Sequence, residues 1–215
     1  MQRLQKYLAL SMMAPLALLA VSAFAQTGNL LPNGRFDLID GVSGWGVLSP
    51  QISSLDFDPM LDADACTGSG SAFATADPGN DFGTATYRVC LGAVAVGQSY
   101  WIDGEILFPS SAVAGRSNLT LNFWTGPNCD GSADGGLFAG YALTSVAGWQ
   151  RVAAGPAVAG SQIQSVMMSV LLTQDVGAEP ALQAHFDEIR VTLSDPTFVD
   201  DFELGEVCRW SLLFP

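Results

Sequence analysis

The sequence predicts an all-β fold, a jelly-roll β-sandwich of about eight antiparallel strands, on three observations. Gly and Pro recur every few residues, 23 and 11 of them in a chain of 215, and both oppose helix. The composition is 49% hydrophobic but only 13% charged, a balance that suits a β-rich exported domain and excludes a helical bundle or a disordered acidic tail. The apolar stretches are short, alternating and rich in β-formers, which is the period-two signature of half-buried strands.

Taken in order, residues 30–38, 71–76 and 83–91 are the first three candidate strands, the latter two parted by the turn cluster Asp77-Pro78-Gly79-Asn80-Asp81. In the fourth, Tyr100, Ile102 and Ile106 oppose Trp101, Asp103 and Glu105. Residues 118–124 show the period best: Leu119, Leu121 and Phe123 fall on one side, and Asn118, Thr120, Asn122 and Trp124 on the other. Gly126-Pro127-Asn128 ends that strand, and residues 148–153 give the next. Val166, Met168, Val170 and Leu172 then oppose Met167, Ser169, Leu171 and Thr173, and residues 184–193 close the sandwich before Ser194-Asp195-Pro196 breaks it. The expected organisation is therefore a sandwich over residues 26–194 and a tail over 195–215.

Residues 1–25 read as a secretory signal peptide. Arg3 and Lys6 precede an apolar run from Leu8 to Val21, and Ala23-Phe24-Ala25 supplies the small residues of a cleavage site. The run is shorter than the roughly 20 residues a membrane-spanning helix needs, so the chain is expected to be secreted, extracellular or periplasmic, with no membrane insertion after cleavage. Cleavage leaves six Arg, no Lys and 21 acidic residues, a net charge of −15. That surface excludes nucleic acid as a partner and attracts divalent cations. Export also favours two disulfides among Cys66, Cys90, Cys129 and Cys208. Three pairings are open; the expected one joins Cys90 to Cys129, each near a strand end of the same expected sheet, and leaves Cys66 with Cys208 to tie the tail to the body.

The mature N-terminus reads Asn29-Leu30-Leu31-Pro32-Asn33-Gly34-Arg35-Phe36-Asp37 and then Gly44-Trp45. This resembles the opening of carbohydrate-binding modules of the family 4, 9 and 22 type, which share a galactose-binding-like jelly roll. Gly70-Ser71-Ala72, Val96-Gly97-Gln98-Ser99-Tyr100, Gly148-Trp149-Gln150-Arg151-Val152 and His185-Phe186-Asp187-Glu188-Ile189-Arg190-Val191 look like later parts of the same family, in the expected order over residues 29–193. The resemblance implies sugar binding by a non-catalytic module, with a polysaccharide or cell-surface glycan as partner. The same jelly roll also serves adhesive and structural surface proteins, so such a protein without a sugar site is the alternative.

Alternation places Asp187 on the side of Ile189, Val191 and Leu193, the core side, unless it lies solvated at a frayed strand start. A buried carboxylate needs a partner, and a chain so poor in basic residues points to a hard cation with oxygen ligands. The resemblance implies the same: a structural calcium ion between Asp37, after the first-strand Phe, and Asp187. Asp56, Asp58, Asp62 and Asp64 form a second acidic cluster, read as a solvated loop because it lacks the Gly and closing Glu of an EF-hand.

Sugar recognition combines aromatic rings with amides, hydroxyls and carboxylates that bond sugar hydroxyls. Trp101, Asp103, Glu105, Asn122 and Trp124, all at non-core parity, fit that description, whereas Trp45 and Trp149 are expected in the core. Enzymatic motifs are missing: there is no G-x-S-x-G, H-E-x-x-H or Walker loop, and the single His185 reads as a strand residue. A hydrolase built on two carboxylates needs no such motif, so a small glycoside hydrolase stays as a further alternative. The tail, Phe198 to Ser211, resembles a D-G-F-E-x-G…W-S signature of exported Gram-negative proteins, with Asp201 in place of the Gly.

Overall fold

The computed structural model describes residues 29–48, 53–66, 68–76, 84–94, 96–175 and 180–193. The expected signal peptide, the tail and Cys208 lie outside the described residues. Eleven strands follow one another: β1 (Gly46–Val47), β2 (Ser53–Asp58), β3 (Ser71–Ala76), β4 (Thr84–Ala93), β5 (Ser99–Leu107), β6 (Gly115–Trp124), β7 (Ala133–Phe138), β8 (Ala142–Leu143), β9 (Gln150–Val158), β10 (Ser165–Gln174) and β11 (Leu182–Thr192). They form two antiparallel sheets, one of six strands in the order β1-β4-β10-β6-β7 with β8 also on β6, and one of five in the order β2-β3-β11-β5-β9.

The inner faces meet as the alternation predicts. Tyr100, Ile102 and Ile106 of β5 are buried, as are Leu119, Leu121 and Phe123 of β6 and Val166, Met168, Val170 and Leu172 of β10. Aromatic pairs cross the interface, Tyr87 against Phe186 at 6.0 Å and Tyr100 against Phe123 at 5.6 Å. Gly104 makes room for this packing, since an added Cβ there would lie 2.5 Å from Ile189 Cδ1 on the neighbouring β11 and 3.0 Å from Leu119 Cδ1 of the facing sheet. Burying side chains of this size contributes roughly 1.5 to 3 kcal/mol each.

Four expectations are corrected. Residues 30–38 are turns with a single bridge, Asp37 to Ser69, because the backbone of this segment bonds elsewhere. The Leu30 amide donates to the Val191 carbonyl and the Ile189 amide to the Gly34 carbonyl, both at 2.8 Å, while Phe36 at φ 50° turns its ring into the core. Asp56 and Asp58 belong to β2 and not to a loop; in this edge strand Leu55 and Phe57 pack on the core while Asp56 faces solvent, an arrangement that also blunts the edge. Trp149 is half-buried and outside the core cluster, and Trp45 is half-buried on its rim, 5.6 Å from Phe36 with Nε1 donating to the Asn33 carbonyl. The parity placing Asp187 with Ile189 fails because the pairing of β11 with β5 shifts between Asp187 and Arg190. Leu182, Ala184 and Phe186 face the core before that bulge, and Ile189 and Val191 after it.

Cys90 bonds Cys129, linking β4 to the loop after β6, as their strand-end positions predicted. Among the described residues no cysteine is free. The disulfide closes a loop with a sequence separation of 39. By chain entropy, replacing both cysteines with Ala is expected to lower the unfolding free energy by about 4 kcal/mol, measured by urea denaturation, with the native circular dichroism unchanged.

Candidate functional site

The inward faces fill each other, so the side chains of outward parity divide between two surfaces pointing in opposite directions. Trp101, Asp103 and Glu105 stand on β5 in the five-stranded sheet, whereas Asn122 and Trp124 stand on β6 in the six-stranded sheet. The structure therefore does not bring these five residues together. Alternation tells which face of its own sheet a residue occupies and says nothing of which sheet that is.

The outer face of the five-stranded sheet is occupied with itself. Asp103 is buried and accepts from Arg151 Nη2 at 2.6 Å and Nε at 3.1 Å. Glu188, also buried, binds Arg35 at 3.1 Å and Arg190 at 2.7 Å. The space among Asp103, Glu105, Arg151, Glu188 and Arg190 is about 30 Å³, the share of one water molecule and too little for a sugar ring. Trp101 lies against β9, where a Cβ added at Gly155 would come within 2.2 Å of its ring.

The opposite face has another character. Across it run Arg88 of β4, Ser169 of β10, Thr120 of β6 and Phe138 of β7, paired in register, and the next row contains Met167 and Asn122. Phe138 and Tyr141 form an exposed edge-to-face pair at 5.0 Å. Trp124 Nε1 and Ser169 Oγ are buried atoms with no hydrogen-bond partner within the protein, and a buried polar group without a partner costs about 1 to 3 kcal/mol. A groove of about 250 Å³ opens beside them, lined by Gly44, Gly46, Arg88, Asn128, Cys129 and Met167. The outward Ser169 was legible from alternation, but its adjacency to Thr120 and Arg88 depends on strand order.

The acidic cluster folds over the bulge of β11. Asp187 is fully buried, its Oδ2 accepting from the Ala63 amide at 2.8 Å and its Oδ1 from the Glu188 amide at 2.7 Å. Burial pushes its carboxyl up to about 8, the charges of Glu188 and Asp62 add to that, and the two amide bonds oppose it. Asp62 Oδ1 accepts from the Asp64 and Cys66 amides, and its Oδ2 from the Ser69 hydroxyl. Ser69 in turn bridges through its backbone to Asp37, whose side chain is exposed. No group of three or more His, Cys, Asp or Glu side chains is placed to hold a metal ion among the described residues. The site fits a hard cation in another respect: the donors are oxygens, and Asp187 is a buried carboxylate that a cation would hold ionised.

His185 is buried in β11 with burial as the main cause of its lowered pKa, offset in part by Asp58. Ser71 Oγ at 3.0 Å and Asp58 Oδ2 at 3.9 Å both approach its Nδ1. Two partners on one nitrogen do not make a relay of the Ser-His-Asp kind, which uses both.

No protein-family model matches the sequence, and no curated protein is similar to it. Solved structures are similar in fold. The CBM22-2 xylan-binding domain of Xyn10C from Paenibacillus barcinonensis superposes with a TM-score of 0.55 at 9% identity, over 75% of this chain and 98% of that one. The CBM22-1-CBM22-2 tandem of the same protein gives 0.57 at 9% identity, over 77% of this chain and 50% of the tandem. The enzymatically active domain of tailspike protein 4 from bacteriophage CBA120 gives 0.52 at 10% identity, over 76% of this chain and 21% of that one. This chain thus spans about a fifth of the tailspike domain and the whole of one module. The fold is a β-sandwich of the carbohydrate-binding-module type.

Asp187 yields a test by pH. Its folded pKa of about 8 lies above the ordinary 3.8, so between those values the native state holds a proton that the unfolded state has lost, and stability falls as pH rises. In chelator, the unfolding free energy is expected to drop by several kcal/mol between about pH 4 and pH 8, and Asp187→Asn is expected to flatten that slope.

Proposed function

We propose that this chain is a secreted, non-catalytic carbohydrate-binding module whose sugar site is the outer face of the six-stranded sheet, and that it carries a structural calcium ion at the opposite sheet. The observation that carries the sugar site is the pair of buried, unpartnered polar atoms, Trp124 Nε1 and Ser169 Oγ, on one face. They stand about four residues apart along paired strands, roughly 13 Å at 3.3 Å per residue, with Asn122 and Met167 between them. A polyhydroxylated chain laid across that span meets Asn122 and Thr120 first, and supplies an acceptor to the indole and a partner to the Ser169 hydroxyl once the side chains that cover those two atoms turn aside. Phe138 and Tyr141 add exposed aromatic surface at the sheet edge, which suits the apolar faces of pyranose rings. Trp101, Asp103 and Glu105 stay outside this site, because their face is closed by its own ion pairs.

For the metal, Asp187, with Asp62 beside it and Asp37 joined through Ser69, supplies the carboxylate oxygens that would hold calcium, and backbone carbonyls and water would complete its shell. Bound there, calcium supplies charge neutralisation for a buried carboxylate. The loop is joined to β11 at this point by the Ala63 amide, which donates to Asp187 Oδ2. Secretion is supported by the disulfide and by the signal-like residues 1–25. Among the described residues no helix is long and apolar enough to cross a membrane. A polysaccharide or cell-surface glycan is the partner, and the acidic surface argues against nucleic acid.

Thermal unfolding with calcium or EDTA, repeated with soluble polysaccharides, tests both halves. Whatever binds only the native state raises the midpoint by mass action. Calcium is expected to raise it in the wild type and not in Asp187→Asn; one polysaccharide is expected to raise it further, in the wild type and not in Trp124→Ala. If calcium shifts the midpoint and no glycan does, the protein is a structural or adhesive surface domain; if neither does, only the fold remains.

A further inference from the structure

The charges of this acidic chain are sorted between the two sheets. In the five-stranded sheet, β2, β5 and β11 carry Asp56, Asp58, Asp103, Glu105, Asp187 and Glu188. In the six-stranded sheet, β1, β4, β10 and β6 carry no Asp or Glu at all. The arginines divide in the same way. Arg35, Arg151 and Arg190 are ion-paired to Glu188 or Asp103. Arg88 and Arg116 point outward from the six-stranded sheet, exposed, and uncharged groups hold them: Arg88 Nη1 lies 4.0 Å from the Met167 sulfur, and the Arg116 guanidinium lies 4.8 Å over the Tyr141 ring. Among the described residues, the carboxylates nearest this face in sequence are Asp130 and Asp134 around the start of β7 and Asp175 just after β10, and none of them pairs with either arginine.

We propose that the ligand of this face is an anionic glycan, a chain bearing carboxylate or sulfate groups, and that Arg88 and Arg116 receive those oxyanions. The inference rests on the reading of this face as the sugar site and adds the class of sugar. Arg88 is in register with Ser169 and Thr120, and Arg116 with Thr173 four residues further along. The two arginines therefore leave the sheet on either side of Asn118 and Thr120, from backbone positions about 16 Å apart by strand geometry, a span for a repeating polymer and not for a single small anion. A guanidinium presents a planar fork that matches the two oxygens of a carboxylate or sulfate, and the thioether and the ring orient it without neutralising it. The net charge of −13 repels a polyanion at a distance. Salt limits that field to about 8 Å at physiological ionic strength, so at contact the local arginines and the missing carboxylates decide.

Isothermal titration of the full chain at 0.15 M salt tests this, with hexagalacturonate as the carboxylate probe, a sulfated carrageenan hexasaccharide as the sulfate probe and xylohexaose as the neutral one. Binding of at least one anionic probe is expected to be about tenfold tighter than that of xylohexaose, and Arg88→Gln or Arg116→Gln to lose about that factor for it alone. Trp124→Ala is expected to weaken every probe that binds. Whichever anionic probe binds identifies the oxyanion. If xylohexaose binds as well as or better than both anionic probes, or if the arginine variants leave the anionic affinity unchanged, the anionic class is overturned and the sugar site stands. If no probe binds the wild type at all, the sugar site itself falls. Both arginines are exposed, and an unchanged unfolding midpoint in each variant separates loss of contact from loss of fold.

Discussion

The extra residue in β11 is the constraint on which the rest of this molecule depends. Between Asp187 and Arg190 the strand spends three steps where β5 spends two, and Glu188 takes a φ of 50° to do so, a conformation that costs an L-residue about 1 to 2 kcal/mol. The shift turns Ile189 and Val191 into the core, so that Ile189 packs against Gly104 of the neighbouring β5, with Leu119 of the facing sheet beside it. It also frees backbone groups that the N-terminal segment takes up. Asn29 accepts from the Val191 amide and donates to the Ile189 carbonyl, and Gly34 accepts from the Ile189 amide. Gly34 admits no side chain there, since a Cβ would lie 1.9 Å from the Ile189 carbonyl oxygen.

The same bulge concentrates charge. It presents Asp187 to the loop that carries Asp62 and Ala63, and Glu188 to Arg35 and Arg190. Each of these carboxylates is buried, and each is held by donors from a different part of the chain. The five-stranded sheet thus becomes an internally paired surface whose small cavity has room for water and not for a ligand. The six-stranded sheet, free of carboxylates in its central strands, is left with amides, hydroxyls, aromatics and two arginines facing outward. The two faces differ by that sorting: one binds the molecule together, and the other is the face proposed above to receive the glycan.

Much of this was legible in the residues because a period of two is a local property. The alternation of Leu119, Leu121 and Phe123 with Asn118, Asn122 and Trp124 requires no knowledge of neighbours, and the core faces of β5, β6 and β10 follow from it. Edge strands were less legible. Asp56 and Asp58 look like a loop, and Pro156 hides the second half of β9, because a sheet edge tolerates both charge and a missing amide donor.

The sequence by itself determined the class of fold and the inward residues of β5, β6 and β10, and it favoured Cys90 with Cys129 among the three possible pairings. Tertiary structure decided which outward residues share a surface. It separated Trp101, Asp103 and Glu105 from Asn122 and Trp124, and it joined Arg88, Ser169 and Thr120 into one row from three strands distant in sequence. The reason is physical. Parity is set by the pleat of a single strand, whereas strand order and register are set by which inner faces fill one common core, and that is a property of the whole chain.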